Sequence, residues 1–200
     1  MPRSTHATDP QLTFPFIGGR PCLNFVATLG RRHATPVERL PDPDALTRWF
    51  TEAGLHPDGA AAEATDRDLA QARRLREALY RLLRAAMTGH PPAADDLAEA
   101  NTAAAAPDLA PQLAPADGGL RLHWHTGAPA DGVRAALSAV ARDAALLAGG
   151  PLLGRVKECE SPDCSLLFLD DSQARRRRWC SMERCGNLAK VAGYRARTRP

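Results

Sequence analysis

Four of the five cysteines fall within 27 residues near the C-terminus, as Cys159, Cys164, Cys180 and Cys185. They form two C-x4-C pairs separated by fifteen residues. A stretch this short and charged carries little apolar material, so a cross-link must supply what a hydrophobic core cannot. Zinc meets that need with four soft ligands in a tetrahedron, about 2.3 Å from each sulfur. Two close pairs on separate turns deliver such a set. The readings left beside it are buried reduced thiols and disulfides. Four protein ligands leave no open position for a metal-bound water, so a structural ion is expected and hydrolytic chemistry is disfavoured.

The cellular setting points the same way. The N-terminus, Met1 to Gln11, is polar and holds two prolines, without the apolar core of a secretory leader. The sequence contains no uninterrupted apolar run of membrane-spanning length, so no membrane partner is expected. A cytoplasmic chain keeps its thiols reduced, which favours metal over disulfide. Cys22 stands apart in an apolar stretch and reads as a small buried residue, since no acid–base partner can be tied to it.

Charge is unevenly spread. From Arg155 onward there are 11 basic and 6 acidic side chains, whereas residues 1–154 carry 15 basic and 17 acidic. A bound zinc with four thiolates contributes −2, so the tail retains an excess of about +3 once metallated. Arg175, Arg176, Arg177 and Arg178 are consecutive, and Lys190, Tyr194 and Arg197 follow at helical i, i+4, i+7 spacing. Guanidinium forks suit phosphate oxygens, which makes these seven residues the candidate nucleic-acid contacts. The alternative is a solvated face, with some arginines offsetting the thiolate cluster. Trp179 reads as core of the module.

The preceding 150 residues read as mostly helical. Asp42-Pro43 is a cap-and-start signal for a short helix with Leu46, Trp49 and Phe50 on one face, stopped at Gly54. Asp66 to Thr88 carries Leu69, Ala72, Leu75, Leu79, Leu82 and Ala86 at three- and four-residue steps, ending at Gly89. Ala93 to Ala106 reads as an alanine-rich helix and Pro107 to Gly119 as a loop. Leu120 to His125 alternates as a half-buried strand. Asp131 is placed to cap a helix over Gly132 to Ala148. In the tail, Leu166–Asp170 and Arg177–Cys180 are expected as the arms of one hairpin, followed by a helical segment from Asn187. The expected fold is therefore α+β: residues 1–11 disordered, a mostly helical domain with a small sheet over 12–150, and a treble-clef-like four-cysteine zinc module over 151–200.

The tail CESPDCSLLFLDDSQARRRRWCSMERCGNLAKVAGYRAR closely resembles the CGNR zinc finger. The segments FIGGRPCLNFVATL, ERLPDPDALTRWFTEAGL and RRLREALYRLL resemble its usual partner, the ABATE domain, a stress-responsive regulatory domain. The resemblance implies a bacterial transcription regulator whose zinc module binds DNA, with ligation by Cys159, Cys164, Cys180 and Cys185. Two departures stand out. Leu188 occupies the position of the motif arginine, and LNFVAT replaces the commoner LDFVNT, putting Asn24 and Ala27 where that motif has other residues.

Two other functions compete with DNA binding: a zinc-stabilised surface for a protein partner, a second copy or RNA, and an enzyme. His33, His123 and His125 are available to the last, but no nucleophile–base–orienter set assembles from them. A non-enzyme is expected.

Overall fold

The computed structural model describes residues 13–55, 63–126 and 131–198. The expected disorder of residues 1–11 lies outside them. The chain divides into two compact units. One runs from Leu40 to Gly150; the other joins the N-terminal stretch up to Arg39 to everything from Pro151 onward. The first 39 residues group with the cysteine module and not with the helices.

In the Leu40–Gly150 unit, α2 (Pro43–Glu52) starts as its sequence dictates: the Asp42 carboxylate accepts a 2.8 Å bond from the Ala45 N–H. Helix α3 (Asp66–Met87) opens with a full capping box between Thr65 and Asp68. Gly54 and Gly89, in left-handed conformation, close the two helices. α4 (Ala94–Ala105) and α5 (Gly132–Ala148) complete a helical cluster with α3. Its core is built on the apolar stripe anticipated on α3, with Leu75 and Leu79 fully buried, joined by Leu83, which the stripe did not include, and by Leu137, Val140 and Leu147 of α5.

Polar bonds hold the thin α4 in place. Arg81 grips the buried Asp96 through Nε and Nη2, with the shortest contact at 2.5 Å. At the other end, Arg142 of α5 donates to the carbonyls of Ala104 and Ala106, and Ser138 also donates to Ala106. These satisfy C-terminal acceptors that no glycine cap serves.

Three expectations change here. Pro107 to Gly119 is not all loop: Ala110–Ala116 is a strand, β3, antiparallel to β4 (Gly119–His125) with Leu113 opposite Leu122. Pro111 and Pro115 lack a ladder donor, which a two-stranded sheet tolerates because each strand is an edge. Nor is β4 half-buried; Leu120 and Leu122 are 69% and 58% exposed. Asp131 stands at the α5 N-cap but makes no side-chain capping bond.

In the second unit, α1 (Pro21–Val26) follows the Gly18-Gly19 turn, and β1 (Leu29–Gly30) pairs with β2 (Val37–Glu38). β5 (Val156–Glu158) and β6 (Leu167–Leu169) form an antiparallel pair around the first two cysteines. A π-helical turn, Met182–Gly186, leads into α6 (Asn187–Thr198). The expected hairpin therefore has a different partner. Leu167–Leu169 pairs with the strand before Cys159, and Arg177–Cys180 is irregular. No described helix is long and apolar enough to cross a membrane.

Candidate metal centre and its basic surroundings

The two cysteine pairs are delivered by different local structures. Cys159 follows β5 directly, its N–H bonded to the Leu166 carbonyl at 2.9 Å, and Cys164 closes a tight turn through Ser161. Cys180 precedes Ser181, whose side chain caps the π-helical turn by accepting from the Arg184 N–H; Cys185 lies within that turn. Gly186 is required there by crowding: a Cβ would stand 2.8 Å from Trp179 Cδ1.

The four sulfurs lie within 4.8 Å of one another. Cys180 Sγ is 3.6 Å from Cys185 Sγ and 3.9 Å from Cys164 Sγ. A tetrahedron of sulfurs around zinc has edges of about 3.8 Å at the usual bond length. The donor set fits. Three of the cysteines are buried and Cys164 is half-buried. Without a cation such a cluster cannot ionise together. Hydrogen bonding with Cys159, reinforced by burial, raises the Cys164 and Cys180 thiols, while the bonds they direct at Cys159 hold that one low. Only a central positive charge lets four thiolates coexist. The Cys180 N–H donates to Cys159 Sγ at 3.3 Å, an outer-layer bond of the kind that orients a metal ligand.

Around the sulfurs is a small apolar shell of Leu166, Phe168 and Trp179, with Ala27 and Ile17 from the N-terminal stretch. That stretch is also hydrogen-bonded into the module. The Leu169 N–H donates to the Gly18 carbonyl at 2.8 Å, and the Gly18 N–H in turn donates to Asn24 Oδ1 at 2.8 Å. The Arg32 N–H donates to Ser165 Oγ at 3.0 Å, and His33 pairs with Glu158 at 2.9 Å. The two LNFVAT departures thus have places: Asn24 locks the glycine turn, and Ala27 packs in the cysteine shell.

Residues 19–151 match the ABATE model, described as "Putative stress-induced transcription regulator". That is well over half of the chain. The protein belongs to the ABATE family. Residues 155–198 match the CGNR zinc finger, so Cys159, Cys164, Cys180 and Cys185 hold one structural zinc ion. No curated protein matches the chain. The ABATE match runs through both compact units, beginning in the stretch that braces the CGNR finger.

The basic residues of the finger separate into two groups. Arg177 is built in: its guanidinium lies 4.5 Å over the Phe168 ring and donates to the carbonyls of Trp179 and Cys180. Arg178 is exposed but ion-paired with Glu160 at 2.6 Å and stacked over Trp179. Arg175, in left-handed conformation, and Arg176 are exposed, as is Lys190. Tyr194 is 63% exposed. The side chain of Arg197 lies outside the described residues. Arg175–Arg178 is irregular and not part of a strand.

Asp170 organises this loop. Fully buried, it accepts from Lys157 Nζ at 2.6 Å, from the Ser172 hydroxyl and N–H, and from the Arg177 N–H. The Lys157 ammonium above all, then Ser172, holds its carboxyl well below the usual range.

Two further cations escaped sequence reasoning. Arg39 and Arg184 line a cavity of about 290 Å³ together with Cys164, Cys185 and Leu188. Arg39 is only 4% exposed and donates to the carbonyls of Thr13 and Ala27. Burial, then the nearby Arg184 guanidinium, lowers its pKa to about 10. Arg39 sits 120 positions before the first zinc ligand, so no local pattern links them. Arg184 does have a sequence signal, its place inside the second C-x4-C. Leu188, at the motif-arginine position, is 67% exposed on the rim of this cavity rather than packed into a core.

Proposed function

We propose that the protein is a DNA-binding transcription regulator that contacts phosphates through its CGNR finger and performs no catalysis. The observation that carries this reading is how the finger's charges are spent. Glu160, Asp163, Asp170 and Asp171 each pair with a lysine or arginine and Glu158 bonds to His33, leaving Glu183 as the one acid of the finger without a partner among the described residues. Arg175, Arg176 and Lys190 stay exposed with no carboxylate against their side chains among the described residues. Surplus cations held out on a rigid, metal-fixed scaffold suit a polyanion.

A salt titration of duplex binding by the zinc-loaded chain tests it. Replacing Arg175 and Arg176 together by alanine is expected to weaken binding tenfold or more and to flatten the slope of log affinity against log salt by about two. Leu188→Arg is expected to tighten it. Indifference to all three substitutions defeats the reading. A second reading, docking of a protein partner, is favoured by the apolar face of β3–β4, where Leu113, Leu120 and Leu122 are exposed. It gains if the chain retards no nucleic acid at low salt, whether DNA or RNA.

A further inference from the structure

We propose that Arg39 and Arg184 are counter-cations of the zinc–thiolate centre and set its affinity for metal, Arg39 acting from outside the cysteine module.

The two side chains and two of the ligands, Cys164 and Cys185, line one small cavity. Neither guanidinium has a carboxylate within ion-pair distance among the described residues, although the third arginine of that cavity, Arg31, pairs with Asp163 at 3.7 Å. A buried arginine without a carboxylate is rare, because removing its charge from water costs several kcal/mol unless an opposite charge stands nearby. Two opposite charges act on Arg39, the Glu38 carboxylate and the centre, whose ligand Cys164 lines the same cavity. Zinc and four thiolates carry −2, and two unpaired guanidiniums carry +2. Burial strengthens the attraction for Arg39, where little water intervenes, whereas Arg184 acts from the exposed side of the cavity.

Position supports the same assignment. Nη1 of Arg39 bonds to the carbonyl of Ala27, and Ala27 packs directly in the cysteine shell. The Gly30 backbone closes over the guanidinium so tightly that a Cβ there would lie 2.5 Å from Nη1. The Arg39 N–H is itself fixed by the Thr28 carbonyl at 2.9 Å. Arg39 is therefore clamped in place, whereas Arg184 is exposed on the π-helical turn, its N–H donating to Ser181 Oγ. The charges of Cys164 and Glu38 act favourably on Arg39 while the Arg184 guanidinium opposes it, which places the two cations near each other beside a metal ligand.

The test is a zinc-affinity measurement on the full chain by competition with a chromophoric chelator. Arg184→Gln is expected to weaken zinc about tenfold, within the range for outer-layer partners of a metal site. Arg39→Gln is expected to weaken it at least as much, and Arg39→Lys, which keeps the charge, to recover most of the loss. Arg176→Gln removes the same charge from the exposed loop and is expected to leave affinity unchanged. Cobalt-loaded Arg184→Gln should keep the tetrahedral thiolate spectrum, showing that all four ligands remain. Should Arg39→Gln fail to fold, the exposed Arg184→Gln decides alone. An unchanged affinity in Arg184→Gln, or an Arg39→Lys as weak as Arg39→Gln, overturns the proposal. Neither outcome depends on whether the chain binds DNA.

Discussion

The two units of this protein reach a stable fold by opposite means. Leu40–Gly150 stacks leucines and alanines from helices whose apolar spacing is written locally, residue after residue. The other unit has strands of two or three residues and a thin apolar shell, and it converges on four sulfurs. Its order depends on contacts between segments more than a hundred residues apart, such as Leu169 with Gly18 and Ser165 with Arg32. Hydrophobic packing tolerates the loss of one member; a metal centre is close to all-or-none.

The largest expected effect is therefore selective unfolding on metal removal. Structural zinc in small modules is worth on the order of 10 kcal/mol. A strong chelator at neutral pH should abolish amide-exchange protection in β5, β6 and the π-helical turn, and also in α1, because the N-terminal stretch shares their shell. Protection in α3 should survive. Equal loss in both units would erase the contrast. A smaller effect, confined to the other side, is expected from Leu79→Ala. Its fully buried side chain leaves a cavity costing about 2–5 kcal/mol, read as a lower urea midpoint for the helical unit with zinc content still at one per chain.

Smallest is Asp170→Asn, which tests whether charge pairing adds to the metal in the finger. The folded carboxyl is held below its unfolded value, so its contribution is complete above the unfolded pKa of about 4 and is lost only as pH falls through the folded value. The variant should have a lower urea midpoint than the parent, by a margin that stays constant from pH 8 to pH 5. A margin that changes across that window would place the stabilisation elsewhere.

The helical unit was the more legible in sequence because its signals are local. The leucine steps of α3 and Gly89 each act within a few residues of themselves, and the helix bounds fall within one residue of expectation. The β3–β4 hairpin shows where that logic fails. Pro111 and Pro115 look like loop residues until a partner strand makes them edge positions. In the finger, Leu167–Leu169 was visible as a strand but its partner was not, since alternation gives a strand's faces and says nothing of its neighbour. The arginine run was visible as charge, yet only packing separates Arg177, spent on Phe168 and two carbonyls, from the free Arg176.

By itself the sequence determined the ligand set and the helices: thiolates at those spacings can share an ion, and apolar residues at helical period must face one side. Only the tertiary structure decided that the stretch from Thr13 to Arg39 belongs with the cysteines and that Arg39 lies beside the metal ligands. Those facts rest on through-space contacts and on the electrostatics of a buried charge, both of which depend on where distant segments meet and leave no periodic trace in the chain.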